Sequence, residues 1–157
     1  MSNFGGWAID ESTFKWIINN IDFGSNILEL GSGTGTIELS KYYNMYSIEH
    51  NEEYLNLCKN STYIYSEIIN GFYNIPKIKN LLPKKYDLLL IDGPPKAVSN
   101  RNKFLDFINY FNLETNILVD DTNRKSELNL LKELSKISKR KYNIIGNDDK
   151  SFGIITK

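Results

Sequence analysis

The chain is 157 residues long, with nineteen basic and nineteen acidic side chains and a formal net charge of zero. That length suits one domain, and the balance argues against a broad electrostatic footprint for nucleic acid or an anionic membrane. A single cysteine, Cys58, gives no sign of an oxidising compartment, and no apolar run has the length to span a bilayer, so the expected address is cytoplasmic.

Near the start, Phe4, Gly5, Gly6 and Trp7 combine aromatics with glycines. Trp7 reads as packing on the domain edge, against the alternative of a lid over a ligand. Asp10 can cap a helix whose apolar positions Phe14, Ile17, Ile18 and Ile21 follow the spacing of one buried face. A short apolar run then ends in three glycines at alternate positions, Asn26 to Gly35 reading N-I-L-E-L-G-S-G-T-G. This is a strand, a tight loop and a helix start, the helix expected over about 36–42. Glycine at Gly31, Gly33 and Gly35 lets the backbone turn sharply and approach a ligand.

Two ligand readings compete for this loop beside a plain glycine-rich turn. A dinucleotide fingerprint is G-x-G-x-x-G, with an acid about twenty residues on. Here the spacing is G-x-G-x-G, which counts against an NAD-dependent oxidoreductase. Glu29, inside the strand end, would repel a pyrophosphate but suit a sulfonium or ammonium. The next strand, Met45 to Ile48, closes at Glu49, where a carboxylate can accept both ribose hydroxyls of a nucleoside. The E-x-G-x-G form followed by Glu49 resembles the cofactor motif of the class I S-adenosylmethionine-dependent methyltransferases.

That resemblance implies a cofactor site built from Glu29, Gly31, Ser32, Gly33, Thr34, Gly35 and Glu49. His50, the one histidine, would neighbour the adenine, and Ser66 and Glu67, after a third strand at 63–65, would contact it. Between them, residues 52–59 read as a short helix with Cys58 as a small buried hydrophobe. Residues 70–85 read as a solvated connection with at most a short helix. Tyr86 to Ile91 is an almost continuous apolar run, expected as a central strand covered on both faces. It ends in Asp92-Gly93-Pro94-Pro95-Lys96, a loop stiffened by two prolines.

Phe104, Phe107, Ile108 and Phe111 repeat at helical spacing and predict a crossover helix over 100–111. A fifth strand, Asn116 to Val119, ends in Asp120-Asp121-Thr122-Asn123-Arg124 and leads to a helix over about 124–138 with Leu130, Leu131, Leu134 and Ile137 inward. Lys136, Lys139, Arg140 and Lys141 gather at its end, where the helix dipole favours cations; a nucleic-acid patch is the sharper alternative. Tyr142 to Ile145 and Phe152 to Thr156, joined by a short turn, should be antiparallel.

The element order resembles the seven-stranded class I methyltransferase sheet: α/β, Rossmann-like and doubly wound, mostly parallel with an antiparallel last strand. One domain is expected over 1–157, residues 1–22 forming an N-terminal segment and helix and 23–157 the core. Asp92, Asp120 and Asp121 would rise from neighbouring strand ends, where three close acids require a raised pKa or a cation among them. They resemble the metal positions of magnesium-dependent catechol-type O-methyltransferases, although Asp121 stands where those enzymes carry Asn. I-D-G-P-P at Ile91 to Pro95 and D-D-x-x-R at Asp120 to Arg124 resemble little-characterised methyltransferase-like proteins more closely.

These resemblances imply S-adenosylmethionine as cofactor, a divalent cation such as magnesium in the metal reading, and O- or N-methylation of a small molecule. Asp92 would serve as base, cofactor contact or metal ligand, Asp120 and Asp121 as its partners, and Lys96 as a group that holds an acidic substrate or lowers the pKa of a hydroxyl. Arg124 could bind a substrate carboxylate or pair with an aspartate. The contrasting reading is a non-catalytic scaffold or partner subunit that binds the cofactor or a nucleoside without turnover. A homo-oligomer stays open.

Overall fold

The protein is described by a computed structural model over residues 9–157, so the expectations for Phe4, Gly5, Gly6 and Trp7 lie outside the described residues. Asp10 caps α1 (Glu11–Asn20), accepting from the Thr13 amide at 2.8 Å. This satisfies one of the amides that a helix start leaves without a partner. Nine strands follow in chain order: β1 (Asn26–Leu30), β2 (Asn44–Glu49), β3 (Thr62–Tyr65), β4 (Ile68–Ile69), β5 (Phe72–Tyr73), β6 (Leu88–Ile91), β7 (Asn116–Val119), β8 (Asn143–Gly146) and β9 (Ser151–Ile155). β4 and β5 pair only with each other; the remaining seven form one sheet in the order β3-β2-β1-β6-β7-β9-β8.

All pairings in the large sheet are parallel except those of β9, which runs antiparallel to both β7 and β8. Strand side chains alternate between faces, so each strand feeds two cores. Ile27, Leu88, Leu90 and Leu118 join Ile17 of α1 and Leu39 of α2 (Thr34–Leu39) on one face. Leu28, Leu89, Ile91 and Val119 join Phe72, Phe104 and Leu130 on the other. The result is a three-layer Rossmann-like sheet, as expected. No helix among the described residues is long and apolar enough to cross a membrane.

Five local expectations change. Residues 52–59 make only a 3-10 turn, Glu52–Tyr54, and Asn56 then takes a left-handed φ of 59° that ends any helix. Cys58 is half-buried among polar groups, its Sγ 2.9 Å from Ser61 Oγ and 3.3 Å from the Tyr63 hydroxyl. The connection after β3 holds the β4–β5 hairpin and the short α3 (Ile75–Ile78). The crossover segment Arg101–Tyr110 is wound as a 3-10 helix, and at the end of α4 (Lys125–Ser138) Ile137 is half exposed rather than inward.

The basic cluster after α4 is not one patch. The Arg140 guanidinium donates to the carbonyls of Leu113, Thr115 and Thr156, tying the loop before β7 to the chain after β9. Lys136 pairs with Glu133, and Lys139 is the left-handed cap of the helix.

At the switch point of the sheet, between β1 and β6, the two following loops meet through glycines. Gly31 has φ +93°, and a Cβ on Gly93 would lie 2.5 Å from the Tyr73 hydroxyl and 2.9 Å from the Gly31 Cα. Both neighbours are held by buried structure and cannot yield. Gly93→Ala is therefore expected to lose about 1–3 kcal/mol of stability, the usual cost of overpacking. Urea denaturation would check it, and an unchanged midpoint would mean that the loops part more easily than the contact implies.

Candidate active site

In an open parallel sheet the loops at the carboxyl ends of the strands form a crevice beside the switch point. Here that crevice is a cavity of about 480 Å³, lined by loops after β1, β2, β6 and β7 and by Lys150 before β9. A volume in this range suits a small ligand. Of the predicted cofactor residues, Gly31, Ser32, Glu49, His50 and Asp92 line it, as do Lys96, Asp120, Asp121 and Arg124. Gly33, Thr34, Gly35, Ser66, Glu67 and Glu29 are not part of its lining.

Those six residues brace the walls. Glu29 is buried beneath the glycine loop, one carboxylate oxygen accepting from Ser47 Oγ at 2.7 Å and Thr36 Oγ1 at 2.8 Å. Thr36 Oγ1 in turn accepts from the Gly33 amide, so Glu29 holds the loop through one intermediary. Gly33 opens α2, with Thr34 as its first residue, and a Cβ on Gly35 would strike Ile9 at 2.7 Å. Ser66 accepts from the Asn74 amide and Glu67 pairs with Lys77, which fixes the segment around the β4–β5 hairpin.

Glu49 is buried at the cavity edge and already bonded. Its Oε1 accepts from the His50 and Asn51 amides, both at 2.7 Å, and its Oε2 from the Ser32 amide at 2.8 Å. A carboxylate offers about four acceptor positions, so Oε2 retains capacity for one further donor such as a ribose hydroxyl. His50 Nδ1 lies 2.9 Å from Glu49 Oε1 but is not aligned for a hydrogen bond. The ring meets Tyr73 edge-on at 6.4 Å between centroids.

The acids at the other wall come together as expected. One carboxylate oxygen each from Asp92, Asp120 and Asp121 lie within 4.8 Å of one another. Burial, and then the charge of Asp120, pushes Asp92 well above the usual carboxylate range, despite Arg101 beside it. Burial pushes Asp120 upward as well, and its buried Oδ1 has no hydrogen-bond partner. Burial works against the charge of Asp121 too, but hydrogen bonding to Lys150 and the charges of Lys150, Arg101 and Arg124 hold it below its ordinary value.

Three cations supply the compensation. Lys150 Nζ stands 2.7 Å from Asp120 Oδ2 and 2.6 Å from Asp121 Oδ1. Arg124 reaches Asp121 at 3.0 Å, the pairing alternative foreseen for it. Arg101, only 4% exposed, donates to the carbonyls of Asp92, Pro94 and Asp120 and to the Asp121 carboxylate at 2.7–3.4 Å. A hard divalent ion also seeks clustered carboxylate oxygens. As folded, however, two of the three aspartates are bonded to the Lys150 ammonium, so this donor set does not fit a metal unless Lys150 leaves.

Arg101 and Lys150 were not legible as site residues. Arg101 had a signal: it is one of only three arginines in a lysine-rich chain, and both it and Arg140 use a multidentate fork that lysine lacks. Lys150 had a topological one. Because β9 is antiparallel, it begins at the end of the sheet where β7 finishes, and Lys150 is the residue before it.

No protein-family model matches the sequence, and no curated protein matches it either. Solved structures do. A Staphylococcus aureus protein provisionally named a caffeoyl-CoA O-methyltransferase superposes with a TM-score of 0.62 at 16% identity, covering 95% of this chain and 85% of that one. A Clostridium thermocellum protein provisionally named an rRNA-methylase gives 0.57 at 13% identity, with 93% of each chain covered. A Podospora anserina methyltransferase bound to S-adenosylhomocysteine gives 0.53 at 14% identity, covering 96% and 80%. Likeness at such identities establishes the fold alone: the chain has the Rossmann-like fold of the class I methyltransferases.

Proposed function

We propose that the protein is an S-adenosylmethionine-dependent methyltransferase that methylates a small molecule at oxygen or nitrogen, in the cytoplasm. The observation that carries this reading is the convergence of Gly31, Ser32, Glu49 and Asp92 on one cavity at the switch point. The fold supports it, and so does the S-adenosylhomocysteine bound to the Podospora anserina neighbour. A small acceptor is favoured over nucleic acid by the zero net charge.

When bound, the cofactor supplies an electrophilic methyl group on a sulfonium. The protein must align the acceptor with it and take up the acceptor's proton. Asp92, in its ionised form, is the base, and Asp120 and Arg101 hold it in place. Lys150 spends two of its three donors on Asp120 and Asp121 and keeps one for an acceptor oxygen. Lys96, exposed on the rim, would meet an anionic group on the substrate.

Calorimetric titration with S-adenosylhomocysteine, with NAD as control, tests the reading directly. Saturable binding of the first ligand alone is expected. Asp92→Asn should keep that binding and lower methyl transfer by roughly 100-fold, the smaller end of what a general base contributes. Binding of NAD instead, or of neither ligand, would overturn the proposal. Equal loss of binding and transfer in Asp92→Asn would make Asp92 a cofactor contact.

A further inference from the structure

We propose that Lys150 is the resident cation of the acidic cluster, and that its ammonium keeps divalent metal out. The inference rests on the same cavity as the proposed function but does not need the transfer reaction. Asp120 and Asp121 are buried and adjacent in sequence, with Asp92 on the neighbouring strand end. Their oxygens lie at distances a single ion could bridge. The ammonium touches two of the three acids at 2.6–2.7 Å, within the range of charge-assisted hydrogen bonds. A metal entering there would have to displace it and would then face an unpaired lysine at close range.

The rest of the cluster reinforces this. Arg101 and Arg124 already contribute two positive charges around Asp121, with Glu127 at 3.9 Å from both guanidinium groups. Lys150, Arg101 and Arg124 thus already set three cations against the carboxylates of Asp92, Asp120, Asp121 and Glu127. A divalent ion would add two further positive charges to a largely buried space whose carboxylates already have cationic partners.

Lys150 is well placed for the role because backbone bonds fix its position. The Asn147 amide donates to the Lys150 carbonyl at 3.0 Å, and the Thr122 amide to the Ser151 carbonyl at 2.9 Å. The turn and the strand end are thereby tied to the loop that carries the aspartates. The side chain spans a fixed and short distance.

The test is calorimetric titration with Mn²⁺ of the wild-type protein and of Lys150→Ala, Lys150→Gln and Lys150→Arg. Wild type and Lys150→Arg are expected to show no saturable site at micromolar metal. Lys150→Ala should gain a single site at least tenfold tighter, abolished by adding Asp121→Asn. Lys150→Gln, neutral but able to keep a hydrogen bond, stands in if the alanine variant does not fold. One micromolar site in wild type that Asp121→Asn removes would overturn the inference, as would no gain in either neutral variant. S-adenosylhomocysteine binding, measured on the same samples, reports on the proposed function separately.

Discussion

Arg101→Ala is expected to cost about 3–5 kcal/mol of folding stability, the range for breaking a buried ion pair by removing one partner. The guanidinium is 4% exposed and forks onto three backbone carbonyls and one carboxylate, with Asp92 Oδ1 at 3.8 Å and Glu127 Oε1 at 3.9 Å. Alanine would leave those carbonyls without a donor and the acids short of one charge, and each buried polar group left unpaired is itself costly. Arg101→Lys would restore the charge but not the planar fork, so less than half the loss should return. Urea or thermal unfolding of the three proteins checks this. Stability of Arg101→Ala within 1 kcal/mol of wild type would show that the loops after β6 and β7 hold each other without it.

Glu29 should make the protein less stable as pH rises from about 5 to 8. Burial, partly offset by hydrogen bonds from Ser47 and Thr36, lifts its pKa from 4.5 to about 7. A folded pKa raised in this way means that the folded chain binds the proton more tightly. The contribution is present in full below the unfolded value near 4.5 and is lost as pH passes through about 7. Its size is about 3 kcal/mol. Glu29→Gln retains an oxygen for both hydroxyl donors but cannot ionise. The difference in unfolding free energy, wild type minus variant, should therefore fall by about 3 kcal/mol between pH 4.5 and 8. A difference that stays constant across that range would mean Glu29 is not the titrating group.

The sheet was legible because its strands are short apolar runs bounded by breakers, and Leu88–Ile91, buried on both faces, is the plainest of them. The acids were legible as well, since Glu49, Asp92 and Asp120 each follow or close an apolar strand, and a strand end has a known place in such a sheet. What escaped was whatever depends on strands meeting across the sheet. Lys150 lies 29 residues from Asp121, and one lysine among many carries no mark until β9 is known to start beside β7. The 3-10 winding of residues 101–110 escaped for a different reason. Arg101, Phe104 and Phe107 share a face at a period of three, but a sequence showing aromatics at both three and four residues fits the α-helix as well. Around Cys58 the local asparagines decided the outcome, because Asn51 caps a turn and Asn56 leaves the helical region.

The placement of Lys150 on the β8–β9 turn also bears on how the molecule opens. Hairpins at a sheet margin are ordinarily the first parts to fray, since few contacts oppose their departure, and β8 is exposed along its whole length. Here fraying would pull an ammonium away from two aspartates and expose them to each other's repulsion. The margin is latched by charge as well as by backbone, and the last strand cannot loosen without dismantling the wall of the cavity.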